Sequence, residues 1–209
     1  MDDTILIVDD SPYIVDGLVA LLKRKGYKPI ATHGGEEALA VLATHIPDLI
    51  LLDIMMEPMD GWETLEKIKT NPATKDLPVL MFSAKKITPE EAAEHSVNIE
   101  DFVSKPVNPA QLLESIQSIF TRRNDVKTEA QVAEDAGLEK DLIDEYSALR
   151  KSIDVDKNLL IVLKNASGMH FSGKEVSAED MAAIKKLEDK IHTDELRVKE
   201  IHDRFAPPS

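Results

Sequence analysis

Four apolar runs that each stop on a chemically active residue constrain this chain most. Ile5-Leu6-Ile7-Val8 stops at Asp9-Asp10, Leu49-Ile50-Leu51-Leu52 at Asp53 and Val79-Leu80-Met81-Phe82 at Ser83, and a shorter run around Phe102-Val103 stops at Ser104-Lys105. Unbroken apolar runs of this length, bounded by polar turns, are what strands buried on both faces look like. A weaker strand candidate covers 27–32. Between the runs lie helical patterns at 12–25, 35–45, 62–70, 89–95 and 109–122. Ser11-Pro12 predicts a helix start with Ser11 as N-cap, and Lys23-Arg24-Lys25-Gly26 predicts its end, with cations facing the helix dipole and glycine beyond. Strand–helix alternation repeated five times implies an α/β fold built on a doubly wound, five-stranded parallel sheet.

From about 121 onward the pattern changes to helix, with one strand-like run at 159–163. Tyr146, Leu149, Ile153, Asp156, Leu160 and Leu163 follow spacings of three and four, as do Ile184, Leu187, Ile191, Asp194, Val198, Ile201 and Phe205. Both are heptad seams, each interrupted by one aspartate that can fix register at a cost in stability. The stretch 165–176, with Gly168 and Gly173, reads as a loop, and Ser177 as the N-cap of the last helix. A short helix near 129–136 precedes this helical hairpin, and Pro207-Pro208 ends it. The expected division is 1–122 and 123–209.

Ligands of an open parallel sheet bind outside the carboxyl ends of its strands. There the pattern places Asp9, Asp10, Asp53, Ser83 and Lys105. Each has an ordinary reading alone: paired aspartates mark helix starts, Ser83 a turn, Lys105 a surface cation, Phe102 core. Together they make a phosphoryl-transfer constellation. Three close carboxylates repel one another, and a divalent cation relieves this. Oxygen ligands favour Mg2+, which takes one or two carboxylates and a phosphate oxygen. One aspartate is then left as a nucleophile able to form an acyl phosphate, with a hydroxyl and an ammonium to receive the phosphoryl oxygens.

Ile-Val-Asp9-Asp10-Ser-Pro, Leu-Leu-Asp53, Phe-Ser83-Ala and Phe102-Val-Ser-Lys105-Pro106 closely resemble the receiver domain of two-component response regulators, over the first 122 residues or so. The resemblance implies a flavodoxin-like, CheY-like fold. It also implies Asp53 as phosphoacceptor, Mg2+ held by Asp9, Asp10, Asp53 and the backbone carbonyl of Met55, and Ser83 and Lys105 contacting the phosphoryl group. Phe102 stands where the family has a switch aromatic. A sensor histidine kinase is the implied phosphodonor, and the chain dephosphorylates itself rather than turning over a separate substrate. The surface of 88–120 is the one such domains change on phosphorylation. In one respect the chain departs from the family: Met56-Glu57-Pro58-Met59-Asp60-Gly61 carries its proline one position late. Gly61 keeps its spacing, so a reshaped loop is expected.

The output of the tail has several readings. Its seams serve a protein-interaction module, either as a homodimeric coiled coil or as a hairpin closed within one chain, with an unknown protein effector. The alternative is a DNA-binding regulator, because 129–146 resembles a helix-turn-helix with alanine and glycine at the expected turn spacing. Its would-be recognition segment, Glu139 to Glu145, is acidic with a single lysine, the opposite of what phosphates require. His192-Thr-Asp-Glu-Leu-Arg197 is faintly similar to a histidine-kinase acceptor motif but carries two extra residues, so His192 reads as a solvated helical histidine. His170 has no assigned role. A formal charge of −14 argues against general nucleic-acid attraction. The lack of cysteine excludes disulfides and thiolate metal sites and fits a cytoplasmic setting. The acidic N-terminus is unlike a secretory signal, and no run reaches membrane-spanning length.

Overall fold

The fold is described from a computed structural model, over residues 3–84, 98–106, 108–166 and 178–205. Five strands, β1 (Thr4–Val8), β2 (Lys28–Thr32), β3 (Leu49–Asp53), β4 (Val79–Ser83) and β5 (Asp101–Ser104), form one sheet in the order β2-β1-β3-β4-β5. Every pairing is parallel. The runs that carry no polar residue until their last position are the central strands. Ile5 to Val8, Leu49 to Leu52 and Val79 to Phe82 are all buried, because helices on both faces leave no wet side. β2, whose exposed and half-buried residues match its weaker sequence signal, is an edge strand.

Three helices of this unit match the sequence reading closely: α1 (Pro12–Arg24), α2 (Gly35–Leu42) and α3 (Gly61–Thr70). Ser11 sits at the N-cap of α1 but its side chain makes no capping bond. Asp9 acts locally instead, its Oδ1 accepting the Ser11 backbone N–H at 2.8 Å. Gly26 ends α1 at φ 89°, a left-handed turn that donates its N–H to the Lys23 carbonyl. The helix expected at 89–95 lies outside the described residues, as do 88–97 and 107 of the 88–120 surface.

The chain forms two compact units, the first within Met1–Lys86 and Asn98–Ile116, the second including Gln117–Ser209. The helix expected to stop at 122, and the short one expected near 129–136, are a single element, α4 (Pro109–Asp135). No proline or glycine interrupts 110–135, so nothing in the backbone breaks it. It ends at Gly137, at φ 81°, whose N–H reaches the Glu134 carbonyl while Leu138 N–H reaches Ala133. α5 (Lys140–Ala166) and α6 (Ala178–His202) complete the second unit, and 159–163, which also had a strand-like look, is helix. The loop expected at 165–176, the Ser177 cap, His170 and the terminal prolines lie at or beyond the edges of the described residues.

The two heptad seams meet each other in this second unit. Ile153, Leu163, Ile184, Ile191 and Ile201 are buried. Tyr146 is fully buried, with Phe205 edge-on at 5.4 Å and its hydroxyl donating to Glu129 of α4 at 2.9 Å. Both aspartates that interrupt the seams share one partner. Lys190 bonds Asp156, which is 1% exposed, and Asp194 at 3.2 Å. Arg197 grips Glu145 with two bonds, of 2.7 and 2.8 Å. Among the described residues no helix is long and apolar enough to cross a membrane.

Candidate phosphoryl-transfer site

The sheet register decides which side chains meet. β1 and β3 pair Val8 with Leu52, so Asp9 and Asp53 emerge side by side at the carboxyl ends of the two strands. The ligand oxygens of Asp9, Asp10 and Asp53 lie within 4.8 Å of one another. Asp9 is 0% exposed and Asp53 3%, while Asp10 faces solvent. From the turn after β5, Lys105 reaches back with its Nζ 2.7 Å from Asp9 Oδ2 and 2.7 Å from Asp53 Oδ2. That turn is anchored by the Lys105 N–H donating to the Ser83 carbonyl at 2.8 Å.

Burial and charge compete in this pocket. Burial pushes the Asp53 carboxyl above the usual carboxylate range. The hydrogen bond and charge of Lys105 and a backbone bond from Met55 oppose this, and the Asp9 charge adds to the rise. One ammonium thus serves two of the three clustered carboxylates. The donor set, all hard oxygens and two of them buried, suits a divalent cation of the Mg2+ kind.

The loop beyond Asp53 is held against the strand. The Gly61 N–H donates to the Ile54 carbonyl at 2.9 Å, and Asp60 caps α3 through the Glu63 N–H at 2.8 Å. The displaced proline therefore leaves the glycine contact in place. The side chain of Met55 is exposed, and its N–H donates to Asp53 Oδ1 at 3.3 Å. Ser83 is fully buried at the end of β4 and Phe102 is 7% exposed in β5. Sequence reasoning left Phe82 as mere core, although the pairing Asp53↔Phe82 puts it beside the acceptor strand's last residue.

Comparison with known proteins agrees with this geometry. The family model described as response regulator receiver domain matches residues 5–117. The chain belongs to the response regulators. A second family model, described as Metanogen output domain 2, matches residues 122–209. The response regulator GtcR of Aneurinibacillus migulanus is 36% identical over 122 residues, 58% of this chain and 49% of that protein. The chain thus spans about half the length of that relative. The probable transcriptional regulator ycf27 of Cyanidium caldarium is 30% identical over 222 residues, 97% of this chain and 88% of that one. Among solved structures, the chemotaxis protein CheY4 of Vibrio cholerae is 29% identical with a TM-score of 0.54, covering 57% of this chain and 99% of its own. A CheY-like receiver domain protein from Methanospirillum hungatei gives 29% and 0.54, covering 60% and 98%. A CheY-like, flavodoxin-like receiver followed by helices is therefore the architecture of this response regulator.

Proposed function

We propose that this response regulator accepts a phosphoryl group on Asp53 from a sensor histidine kinase and signals through protein contacts of its receiver and helical tail. The observation that carries this reading is the Lys105 ammonium, 2.7 Å from both Asp9 and Asp53 with Asp10 completing the acidic cluster. An Asp53 carboxylate oxygen attacks phosphorus, a P–O bond forms as the P–N bond to the kinase imidazole breaks, and the imidazole takes up a proton. Asp9, Asp10, Asp53 and the Met55 carbonyl would hold a bound Mg2+, which would supply positive charge beside the phosphoryl oxygens. Lys105 exchanges a carboxylate oxygen for a phosphoryl oxygen, Ser83 donates its hydroxyl, and Phe102 reports the change to the surface. The shift is between two existing states rather than a new fold. Hydrolysis returns the chain to its resting form, so it is not an enzyme acting on a separate substrate.

The receiver occupies 1–122 and the output module 123–209, in a cytoplasmic protein; matches ending at 117 and starting at 122 support this division. Because both heptad seams bury residues within one chain, Ile153 and Leu163 in one and Ile184, Ile191 and Ile201 in the other, the module presents its outer faces to a different protein. Incubation with Mg2+ and acetyl phosphate, followed by intact-mass measurement, tests the reading. The wild-type chain gains one phosphoryl group and Asp53→Asn gains none. A phosphorylated Asp53→Asn protein overturns the acceptor.

A second reading, DNA binding through 129–146, draws on the transcriptional regulator that aligns with 97% of this chain. Against it, the acidic stretch from Glu139 to Glu145 opens α5, a long helix whose buried residues already pack in the hairpin. Specific mobility shifts of a promoter fragment at moderate salt would favour this second reading; their absence favours protein output.

A further inference from the structure

Asp53 and Phe82 are register partners on adjacent parallel strands, so their side chains leave the same face of the sheet. Phe82 is 1% exposed, and its ring centroid lies 4.6 Å from Lys105 Nζ, within the range of a cation–π contact. The ammonium therefore has three neighbours: two carboxylates at 2.7 Å and one aromatic face. The Lys105 side chain is only 12% exposed, so water does little to weaken the third. Lysine is a point charge on a flexible four-carbon stem and holds one position only as well as its surroundings hold it.

The two kinds of neighbour differ in permanence. When Asp53 becomes an acyl phosphate its carboxylate oxygen is replaced as a partner by phosphoryl oxygens in a new position, and a divalent cation on Asp9 would compete with the ammonium there. The face of Phe82 keeps its negative potential through both events. A leucine at this position would keep the site apolar without any attraction for a cation.

We propose that Phe82 is a positioning residue for phosphoryl transfer, whose ring holds the Lys105 ammonium over the acceptor while both carboxylate contacts change. The inference rests on Asp53 being the acceptor. It assigns electrostatic work to a side chain that otherwise counts only as core.

The test replaces Phe82 in the full chain with 4-fluoro-, 3,5-difluoro- and 3,4,5-trifluorophenylalanine, which drain the ring's negative face while nearly keeping its shape, and with Phe82→Leu. Two readouts are taken: the rate of Asp53 phosphorylation by acetyl phosphate with Mg2+, and the nitrogen resonance of the Lys105 ammonium in the unphosphorylated protein. Thermal unfolding of each variant shows that it is folded. The expected result is a stepwise fall in rate with each fluorine, reaching about three- to tenfold, with a parallel stepwise move of the Lys105 resonance. A rate and a resonance that stay flat across the fluorinated series overturn the proposal, even if Phe82→Leu is slow, because only packing is then at stake. If the wild-type chain takes no phosphoryl group, the acceptor reading fails by itself. The Lys105 resonance then decides the ring contact, a graded shift supporting it and a fixed signal overturning it.

Discussion

A Cβ on Gly61 would lie 2.1 Å from the Asp53 carbonyl oxygen and 2.7 Å from Ile54 Cα, both backbone atoms that cannot rotate aside. Gly61→Ala must therefore push the end of β3 away from α3, a cost of about 1–3 kcal/mol by analogy with overpacked cores. Urea unfolding should show that loss, and acetyl phosphate labelling should slow because the acceptor moves. Unchanged labelling would mean that the loop absorbs the methyl without moving Asp53. Asp53 also carries a pH signature. Its carboxyl is raised by burial above the 3.8 of a free aspartate, so the folded state holds the proton more tightly than the unfolded chain. For a raised acid, ionisation disfavours folding. Stability increases as pH falls through the folded value and levels off below 3.8. In metal-free buffer at neutral pH, Asp53→Asn should melt above wild type, and the gap should close as pH falls through that window. Calorimetry across pH checks this, and a variant that melts lower at neutral pH would show the Lys105 attraction outweighing burial. Asp9, Asp53 and Lys105 were legible because each breaks an apolar run at a strand end. Phe82 was not, because its meaning lies in a cross-strand register that no local pattern encodes.

At the scale of elements, the hairpin of α5 and α6 separates ion pairs that should matter from those that should not. Asp156 is 1% exposed, and its Oδ1 is buried without a hydrogen-bond partner among the described residues. Its other oxygen depends on Lys190 and Ser152. Removing the cation leaves a buried charge poorly compensated, so Lys190→Ala should destabilise the second unit by about 1–3 kcal/mol, the 44% exposure of Lys190 letting water screen part of the loss. Arg197 and Glu145 are more than a third exposed, so water screens the pair and Arg197→Ala should cost clearly less despite its better geometry. Hydrogen exchange in α5 and α6 measures both, and equal losses would contradict the burial argument. The seams and their aspartates were readable from spacing. Lys190 was not, because it lies outside the apolar set and on the far side of a loop. The continuity of α4 was also missed. Residues 121–128 have little apolar periodicity and look like a break, yet Arg122 is 8% exposed and lies 3.8 Å from Asp154 of α5. A cation with a long apolar stem can occupy an inner position that a hydrophobicity pattern leaves blank.

For the molecule as a whole, the question is whether phosphorylation makes pairs of chains. A heptad seam seeks a partner only while its apolar face is open. Here Ile153 and Leu163 of α5 and Ile184, Ile191 and Ile201 of α6 are already buried. Ion pairs across the hairpin fix its register: Arg197 with Glu145, Lys190 with Asp156, Lys164 with Glu188 and Lys157 with Glu195. An intermolecular coiled coil would first have to open that hairpin and expose what it buries. A net charge of −14 adds repulsion between copies at low salt. Light scattering on the full chain should give the mass of one chain, and the same mass after acetyl phosphate and Mg2+. A mass that doubles only on phosphorylation would place the response on a surface other than the seams. A mass that is doubled in both states, and halves in Lys190→Ala, would instead make the hairpin the dimer contact and turn the proposed output from recruitment of a different protein into reorientation of a standing pair.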